Sequence, residues 1–206
     1  MTNDRWLWDG GVGLMTLALA GALALIVALV LGLNSPRPTR SPDWQAPSLP
    51  LRLEAHSNEA VVTLLGQPSS DFILEGEAVL LSGSNFNGYG LVYRAQNPTH
   101  YYAFAVGSDG YYAVLRVEGD EETALVDWQQ FPHVHRGRQP NRLRVACTGP
   151  PCRFYVNDEY ATSVEDDTWL TGDVGLWARG FGDGGLAVQF VSVRVWGNNG
   201  LAGLSD

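Results

Sequence analysis

The sequence contains no lysine, and all 13 of its basic residues are arginine. This absence excludes chemistry that needs a lysine amine, such as a Schiff base or a pyridoxal phosphate linkage. The arginines are outnumbered by 22 Asp and Glu residues, which gives a formal net charge of −9 at pH 7. Nucleic acids require a basic binding surface, so the composition argues against a nucleic-acid partner.

Charged residues are also absent from positions 12–33, which are mostly Leu, Ala, Val and Ile. At about 1.5 Å of rise per residue, a helix of this length crosses a hydrocarbon core of roughly 30 Å. A cleaved signal peptide is the alternative, but it has a shorter apolar run after a basic start, whereas Asp4, Arg5 and Asp9 precede this one. We predict a transmembrane helix at 12–33 in contact with membrane lipid, after a short cytoplasmic stub at 1–11.

Only two cysteines occur, Cys147 and Cys152, separated by the turn-forming sequence Thr-Gly-Pro-Pro. An even cysteine count with this spacing predicts a disulfide and therefore an oxidising compartment. The alternative is a pair of reduced cysteines in a cytosolic hairpin. Because the charges flanking 12–33 do not set its orientation, the cysteines decide the expected location: a single-pass protein of the cell membrane, with its C-terminal domain on the periplasmic or extracellular side.

The pattern changes twice after the apolar run. Residues 34–50 are rich in proline and predict a stiff, extended linker, and 197–206 predict a flexible C-terminal tail. Between them, 51–196 contain short β-like runs separated by turn residues and no helical period. Strands are expected at 60–65, 72–81, 90–94, 101–106, 111–117, 124–128, 142–147, 153–156, 160–164, 174–178 and 186–196. The predicted fold is all-β, a two-sheet antiparallel jelly-roll sandwich preceded by one transmembrane α-helix.

Several phrases in these strands resemble the concanavalin A-like lectin/glucanase superfamily, and in particular laminin-G-like and DUF1080-like domains that bacteria attach outside the membrane. The phrases lie at 89–94, 101–104, 109–112, 141–145, 154–157, 172–176 and 190–196. The resemblance covers about 72–196 and implies a lectin-type sandwich. It leaves the activity open, because the superfamily includes lectins, glycosidases and modules that only bind proteins.

One acidic run has the Glu-x-Asp-x-Glu spacing that the resemblance associates with family 16 glycoside hydrolases: Glu118, Asp120 and Glu122. In a working catalytic strand, the residues between the acids are apolar and anchor the strand in the core. Here those positions are Gly119 and Glu121, which predicts a solvated hairpin tip. We therefore expect no enzyme activity, with a glycoside hydrolase as a less favoured alternative.

Metal-binding patterns are weak. His133 and His135 would share one face of an extended segment, but no third ligand is nearby in sequence, which favours an exposed loop. The acidic residues 165–167 and the loop 182–185 offer oxygen atoms for calcium, which laminin-G-like domains sometimes bind. No cofactor is predicted, and structural calcium stays open.

Aromatic and arginine side chains are the remaining ligand-binding candidates, because sugar rings stack on aromatic faces and arginine binds hydroxyl groups. The candidates are Tyr93, Arg94, Tyr101, Tyr112, Trp128, Tyr155, Trp177 and Arg179. The alternative is that these residues are ordinary core or surface positions.

The stub at 1–11 is too short for an effector domain, and small residues in 12–33 would let membrane helices approach closely. The sequence therefore predicts a non-catalytic interaction module, an accessory subunit whose partners are integral membrane proteins. The alternative is a carbohydrate-binding, lectin-like module with a glycan as its partner.

Overall fold

The computed structural model describes Gly21, Pro38 and residues 40–181 and 184–197. The chain divides into two compact units, Met1–Ser35 and Pro36–Asp206. The predicted stub (1–11), the predicted transmembrane helix (12–33, apart from Gly21) and residues 198–206 of the predicted tail lie outside the described residues. Among the residues that are described, no helix is long and apolar enough to cross a membrane.

The described residues form two antiparallel sheets that pack face to face, which confirms the predicted all-β sandwich. The strands are β1 (Trp44–Gln45), β2 (Leu51–Ala55), β3 (Ala60–Leu64), β4 (Phe72–Gly83), β5 (Asn87–Asn97), β6 (His100–Val106), β7 (Tyr111–Glu118), β8 (Glu121–Gln130), β9 (Asn141–Cys147), β10 (Pro151–Val156), β11 (Glu159–Glu165), β12 (Asp173–Gly180) and β13 (Leu186–Trp196). One sheet has the order β1-β13-β4-β9-β10-β11, with β2 also paired to β13. The other, six-stranded sheet has the order β3-β12-β5-β6-β7-β8.

The folded domain begins before the boundary predicted at Leu51. Trp44 pairs with Val195 of β13, and the backbone N–H of Asp43 donates to the carbonyl oxygen of Val195 at 2.9 Å. Ala46 is buried against the sandwich. The last part of the predicted 34–50 linker is therefore an edge strand, because β13 offers unpaired backbone groups that this short segment satisfies.

Side chains alternate along each strand between the space between the sheets and the outside. In β6, Tyr102, Phe104 and Val106 pack in the central core, whereas Tyr101 and its alternate neighbours point outward. The outward side of the six-stranded sheet carries its own buried apolar cluster: Val92, Ala95, Tyr101, Ala103, Ala105, Ala113, Leu115, Val117 and Trp177. An antiparallel sandwich sheet usually presents polar residues there. The outward face of this sheet is therefore more apolar than is usual for a sandwich, which makes it a candidate surface for ligand binding.

The predicted disulfide is present between Cys147 and Cys152, which face each other across β9 and β10. The turn between these strands is held by Arg94, whose guanidinium donates to the carbonyl oxygens of Gly149 and Pro150. Arg94 has a positive φ of 50° at a register shift in β5, and its side chain is 1% exposed. Its role in the described structure is to fasten the disulfide turn.

A mostly buried carboxylate fastens the segment after β11 to the sandwich. Asp166 accepts a hydrogen bond from the Tyr102 hydroxyl and forms an ion pair with Arg116 at 2.8 Å. Burial acts to raise the pKa of Asp166, but hydrogen bonds from Tyr102 and Thr168 outweigh it and lower the pKa below its ordinary value of 3.8. A lowered pKa in the folded state means that the ionised carboxylate stabilises the fold above pH 3.8, and that this contribution is lost as the pH falls through the folded-state pKa.

We expect Asp166→Asn to lower the free energy of unfolding by about 1–3 kcal/mol at neutral pH, because it removes hydrogen bonds to a charged acceptor. The difference from the wild-type protein should shrink as the pH falls below 3.8. Urea denaturation at neutral and acidic pH measures both effects. The control is Asp167→Asn, since that neighbour is exposed; equal losses for the two variants would contradict the prediction.

Candidate functional site

A groove of about 400 Å³ lies on the outward face of the six-stranded sheet. It is bordered by β3, β6, β12 and the turns β5–β6 and β7–β8. Its lining residues are Asn58, Ala60, Val62, Pro98, Thr99, Tyr101, Val117, Gly119, Asp120, Glu121, Glu122 and Arg179. The lining combines apolar side chains with several hydrogen-bonding groups, which is the composition of a site for a small polar ligand.

Trp177 lies beside the groove, next to the lining residue Tyr101. Its side chain is fully buried, although it points away from the central core. Gly88 in the neighbouring strand makes room for it, since a Cβ atom there would lie 2.7 Å from Cζ3 of Trp177 and 3.0 Å from Cη2 of Trp128. The indole Nε1–H of Trp177 donates to the Tyr101 hydroxyl at 3.2 Å. Burial raises the pKa of Tyr101 above its ordinary value of 10.0.

Arg179 and Glu122 supply the charged part of the groove. Their side chains form an ion pair at 2.8 Å and are 28% and 35% exposed, so a ligand reaches both. The pair joins β12 to β8, which are separated in the sheet by three other strands. In the described part of the chain, the buried Nε of Arg179 has no hydrogen-bond partner. The guanidinium therefore has hydrogen-bonding capacity that the described protein groups do not use.

The eight predicted ligand-binding residues are divided among different environments. Tyr101, Trp128, Trp177 and Arg179 lie together on or beside the outward face of the six-stranded sheet.

The other four lie elsewhere. Tyr93 and Tyr112 pack in the central core, where the ring of Tyr93 stacks on that of Tyr102 at 5.0 Å. Tyr155 lies on the outward face of the other sheet, beneath the Arg144 guanidinium. Arg94 is committed to the disulfide turn. Strand alternation directs Tyr93 and Tyr112 into the core. Tyr155 is outside the groove because β10 belongs to the other sheet, and Arg94 because it lies at a register shift in β5.

Glu122 is the main site residue that the sequence-based list omits. Its position in an acidic run predicts solvation, and its ion pair with Arg179 spans 57 residues of sequence. A contact at such separation leaves no local pattern in the sequence. Thr99 and Asn58 are further polar lining residues that the list omits, and both stand in turn-forming stretches without a distinguishing motif.

The acidic run adopts the predicted hairpin tip. Glu118 and Glu121 pair across the β7–β8 turn, with Gly119 at a positive φ of 68° between them. Residues 119–122 are exposed. A glycosidase requires a carboxylic acid whose pKa is raised, commonly by burial, facing a second carboxylate. This exposed hairpin does not have that arrangement.

The described residues contain no group of three or more His, Cys, Asp or Glu side chains placed to hold a metal ion. His135 is engaged by the backbone, since its Nδ1 lies 2.8 Å from the carbonyl oxygen of Pro140. In the run 165–167, Asp166 is bound by Tyr102 and Arg116. The loop predicted as a calcium candidate includes residues 182–183, which lie outside the described ranges.

No protein-family model matches the chain, and no curated protein matches it. Solved structures do resemble it. The carbohydrate-binding module CBM66 from Bacillus subtilis has a TM-score of 0.59 and 16% identity, over 69% of this chain and 85% of that one. The GH43 BlXynB protein from Bacillus licheniformis has a TM-score of 0.52 and 17% identity, over 72% of this chain and 33% of that one. A fructosyltransferase from A. japonicus has a TM-score of 0.51 and 16% identity, over 75% of this chain and 26% of that one.

At these identities the likeness shows the fold alone. The fold is a two-sheet antiparallel sandwich of the kind seen in these solved structures, and the sandwich itself is what the sequence predicts. This chain covers 33% of the GH43 protein and 26% of the fructosyltransferase. The activities of those two proteins are therefore not evidence for the activity of this chain.

Proposed function

We propose that this domain is a non-catalytic carbohydrate-binding module and that the groove is its binding site. The observation that carries the proposal is the exposed Arg179–Glu122 ion pair beside the Tyr101–Trp177 hydrogen bond. A sugar ring has an apolar face and a rim of hydroxyl groups. Its hydroxyls would donate to the Glu122 carboxylate and accept from the Arg179 guanidinium, while its apolar face lies against Val62 and Val117.

The comparisons support this function over the accessory-subunit role. One solved structure of the same fold is a carbohydrate-binding module, and another is a GH43 protein. The accessory-subunit role, with integral membrane partners, stays a prediction. A glycoside hydrolase is less favoured, because Glu118, Asp120 and Glu122 belong to a solvated hairpin.

The expected ligand is a neutral sugar. Asp120, Glu121 and Glu122 line one side of the groove, and Arg179 is the arginine among its lining residues. This excess of negative charge repels uronic acids and sulfated or phosphorylated glycans. Neutral hydroxyl groups, in contrast, hydrogen bond well to ionised acceptors.

We further propose that the module acts outside the cytoplasm, tethered by the 12–33 segment. The disulfide between Cys147 and Cys152 supports the oxidising compartment. The proposal that this segment tethers the protein to the membrane is based on the apolar sequence of 12–33. Structural calcium at residues 165–167 or 182–185 stays open.

A neutral-glycan array probed with the full-length chain in nanodiscs tests the function. We expect binding by the wild-type protein and a loss of about tenfold or more for Arg179→Ala, since hydrogen bonds to a charged group are lost. Arg179→Lys should also bind weakly, because lysine lacks the planar fork of arginine. Arg153→Ala is the matched control, because this exposed arginine belongs to β10 of the other sheet. Equal affinities for Arg179→Ala and Arg153→Ala would place the site elsewhere.

A further inference from the structure

A second cavity, of about 340 Å³, opens where the β4–β5 turn and the β6–β7 turn meet the edge of β8. We name it the aromatic pocket. Its lining residues are Phe86, Asn87, Asp109, Tyr111, Trp128 and Phe181. Four of these six side chains are aromatic, in contrast with the mixed polar lining of the groove. The two cavities therefore present different chemistry to a ligand.

The aromatic pocket includes unusually exposed apolar side chains. Phe86 is 71% exposed and Tyr111 is 37% exposed. The other large apolar side chains that are exposed in the described ranges are Tyr160, Leu170 and Val191, and none of them lines this cavity. Burying a phenylalanine on folding is favourable by about 1.5–3 kcal/mol, so an exposed one beside other aromatic rings indicates a surface that a ligand covers.

Contacts connect the aromatic pocket to the groove. The ring of Phe181 meets that of Trp128 edge to face, with centroids 5.8 Å apart. The Phe181 ring also lies under the Arg179 guanidinium, whose Cζ is 5.2 Å from the ring centroid. Arg179 lines the groove and pairs there with Glu122. This single arginine therefore links the linings of the two cavities, and a ligand that binds it lies beside both.

Polar side chains accompany the aromatic rings. The Asn87 amide is held in place by the Ser108 hydroxyl at 2.8 Å, and Asp109 accepts a hydrogen bond from the backbone N–H of Tyr111 at 3.3 Å. Aromatic faces beside fixed amide and carboxylate groups suit a ring that is apolar on one face and hydroxylated at its rim. The Asn87 side chain is buried and its amide is bound by Ser84 and Ser108. The partly exposed Asp109 carboxylate is therefore the polar group of this lining that a ligand hydroxyl can reach.

We propose that the aromatic pocket is a second sugar subsite and that the ligand is consequently a neutral oligosaccharide chain. One sugar unit occupies the groove at Arg179 and Glu122, and a further unit of the same chain stacks on the aromatic rings at Phe86 and Tyr111. This inference rests on the proposed function, since it assigns the second subsite to the ligand of the groove. It predicts that affinity depends on chain length.

The test measures affinity against a ladder of neutral gluco-, xylo- and fructo-oligosaccharides, from the monosaccharide to the hexasaccharide, by calorimetry with the full-length chain in nanodiscs. For the oligosaccharide series that binds, the affinity of the wild-type protein should rise by about tenfold or more once the oligosaccharide is long enough to reach both cavities. The rise is expected because the added sugar unit contacts two aromatic rings. The double variant Phe86→Ala/Tyr111→Ala should lose this gain and keep the monosaccharide affinity. Tyr160→Ala, an exposed tyrosine of β11 in the other sheet, should keep the full chain-length dependence.

The outcomes separate the two proposals. Suppose that Arg179→Ala abolishes sugar binding, but that affinity does not depend on oligosaccharide length or that the double variant does not change it. This result overturns the second subsite and leaves the groove as the binding site. Absence of binding to every member of the ladder and of the array overturns the proposed function and the subsite with it. The third outcome is that the wild-type protein binds phosphatidylcholine vesicles, the double variant does not, and sugar affinity does not depend on oligosaccharide length. This outcome would assign the aromatic pocket to a membrane surface and overturn the inference.

Discussion

Replacing Trp177 by alanine should lower the free energy of unfolding by about 3–5 kcal/mol, the usual cost of removing a buried aromatic side chain. Trp177 is fully buried, packs beside Trp128 over Gly88 and holds the Tyr101 hydroxyl. Its removal leaves a cavity beside the groove and frees Tyr101 to move. The variant should therefore also lose sugar binding at temperatures where it remains folded.

Chemical denaturation of the wild-type protein and the Trp177→Ala variant measures this effect. Phe86→Ala is the control for loss of an aromatic ring, because Phe86 is 71% exposed and its removal should change stability by no more than about 0.5 kcal/mol. A loss below about 1 kcal/mol for Trp177→Ala would show that the outward cluster contributes little to the fold. Trp177→Phe should recover part of the stability but not the hydrogen bond to Tyr101.

Adding one methyl group at Gly90 should be comparably damaging. Gly90 pairs with Ala105 of β6, and a Cβ atom on it would lie 1.9 Å from the carbonyl oxygen of Phe104 and 2.8 Å from Cα of Ala105. Both neighbours are backbone atoms, which cannot rotate away as a side chain does. We expect Gly90→Ala to lower the free energy of unfolding by about 3 kcal/mol, at the upper end for overpacked positions.

The matched control is Gly88→Ala, two residues away on the same face of β5. Its added methyl would meet the rings of Trp177 and Trp128 at 2.7 and 3.0 Å. Since side chains yield more readily than backbone, we expect a smaller loss of stability, about 1–2 kcal/mol, with a shift in intrinsic tryptophan fluorescence. Thermal or urea denaturation with fluorescence detection distinguishes the two variants. If Gly88→Ala lowered the free energy of unfolding more than Gly90→Ala, the close approach of the β6 backbone to Gly90 would be contradicted.

The strands were largely predictable from the sequence because turn residues mark their ends. Asn157 and Asp158 have positive φ values of 52° and 73° between β10 and β11, and Gly110 has 97° before β7. Each of these residue types tolerates that conformation, and each stands between β-like runs. The short strand β1 was not predicted, because Pro42 and Pro47 flank it and indicate a linker. The strand β2 lies within the predicted domain, but the expected strands begin only at Ala60.

The candidate site was predictable only in part. Tyr101 and Tyr102 are adjacent, as are Tyr111 and Tyr112, so alternation requires one of each pair to face the core and the other to face outward. The sequence does not show which, since both members are aromatic. The structure places Tyr102 and Tyr112 in the central core and Tyr101 and Tyr111 outside it.

The sequence by itself determined most of the strands, the two-sheet class and the disulfide, because these depend on alternation, on turn residues and on two cysteines only five positions apart. Only the tertiary structure decided the site. The six-stranded sheet brings Tyr101, Glu122 and Arg179 to one groove from three strands. Such proximity depends on strand order and on the direction of each side chain, and neither property is encoded within a short stretch of chain.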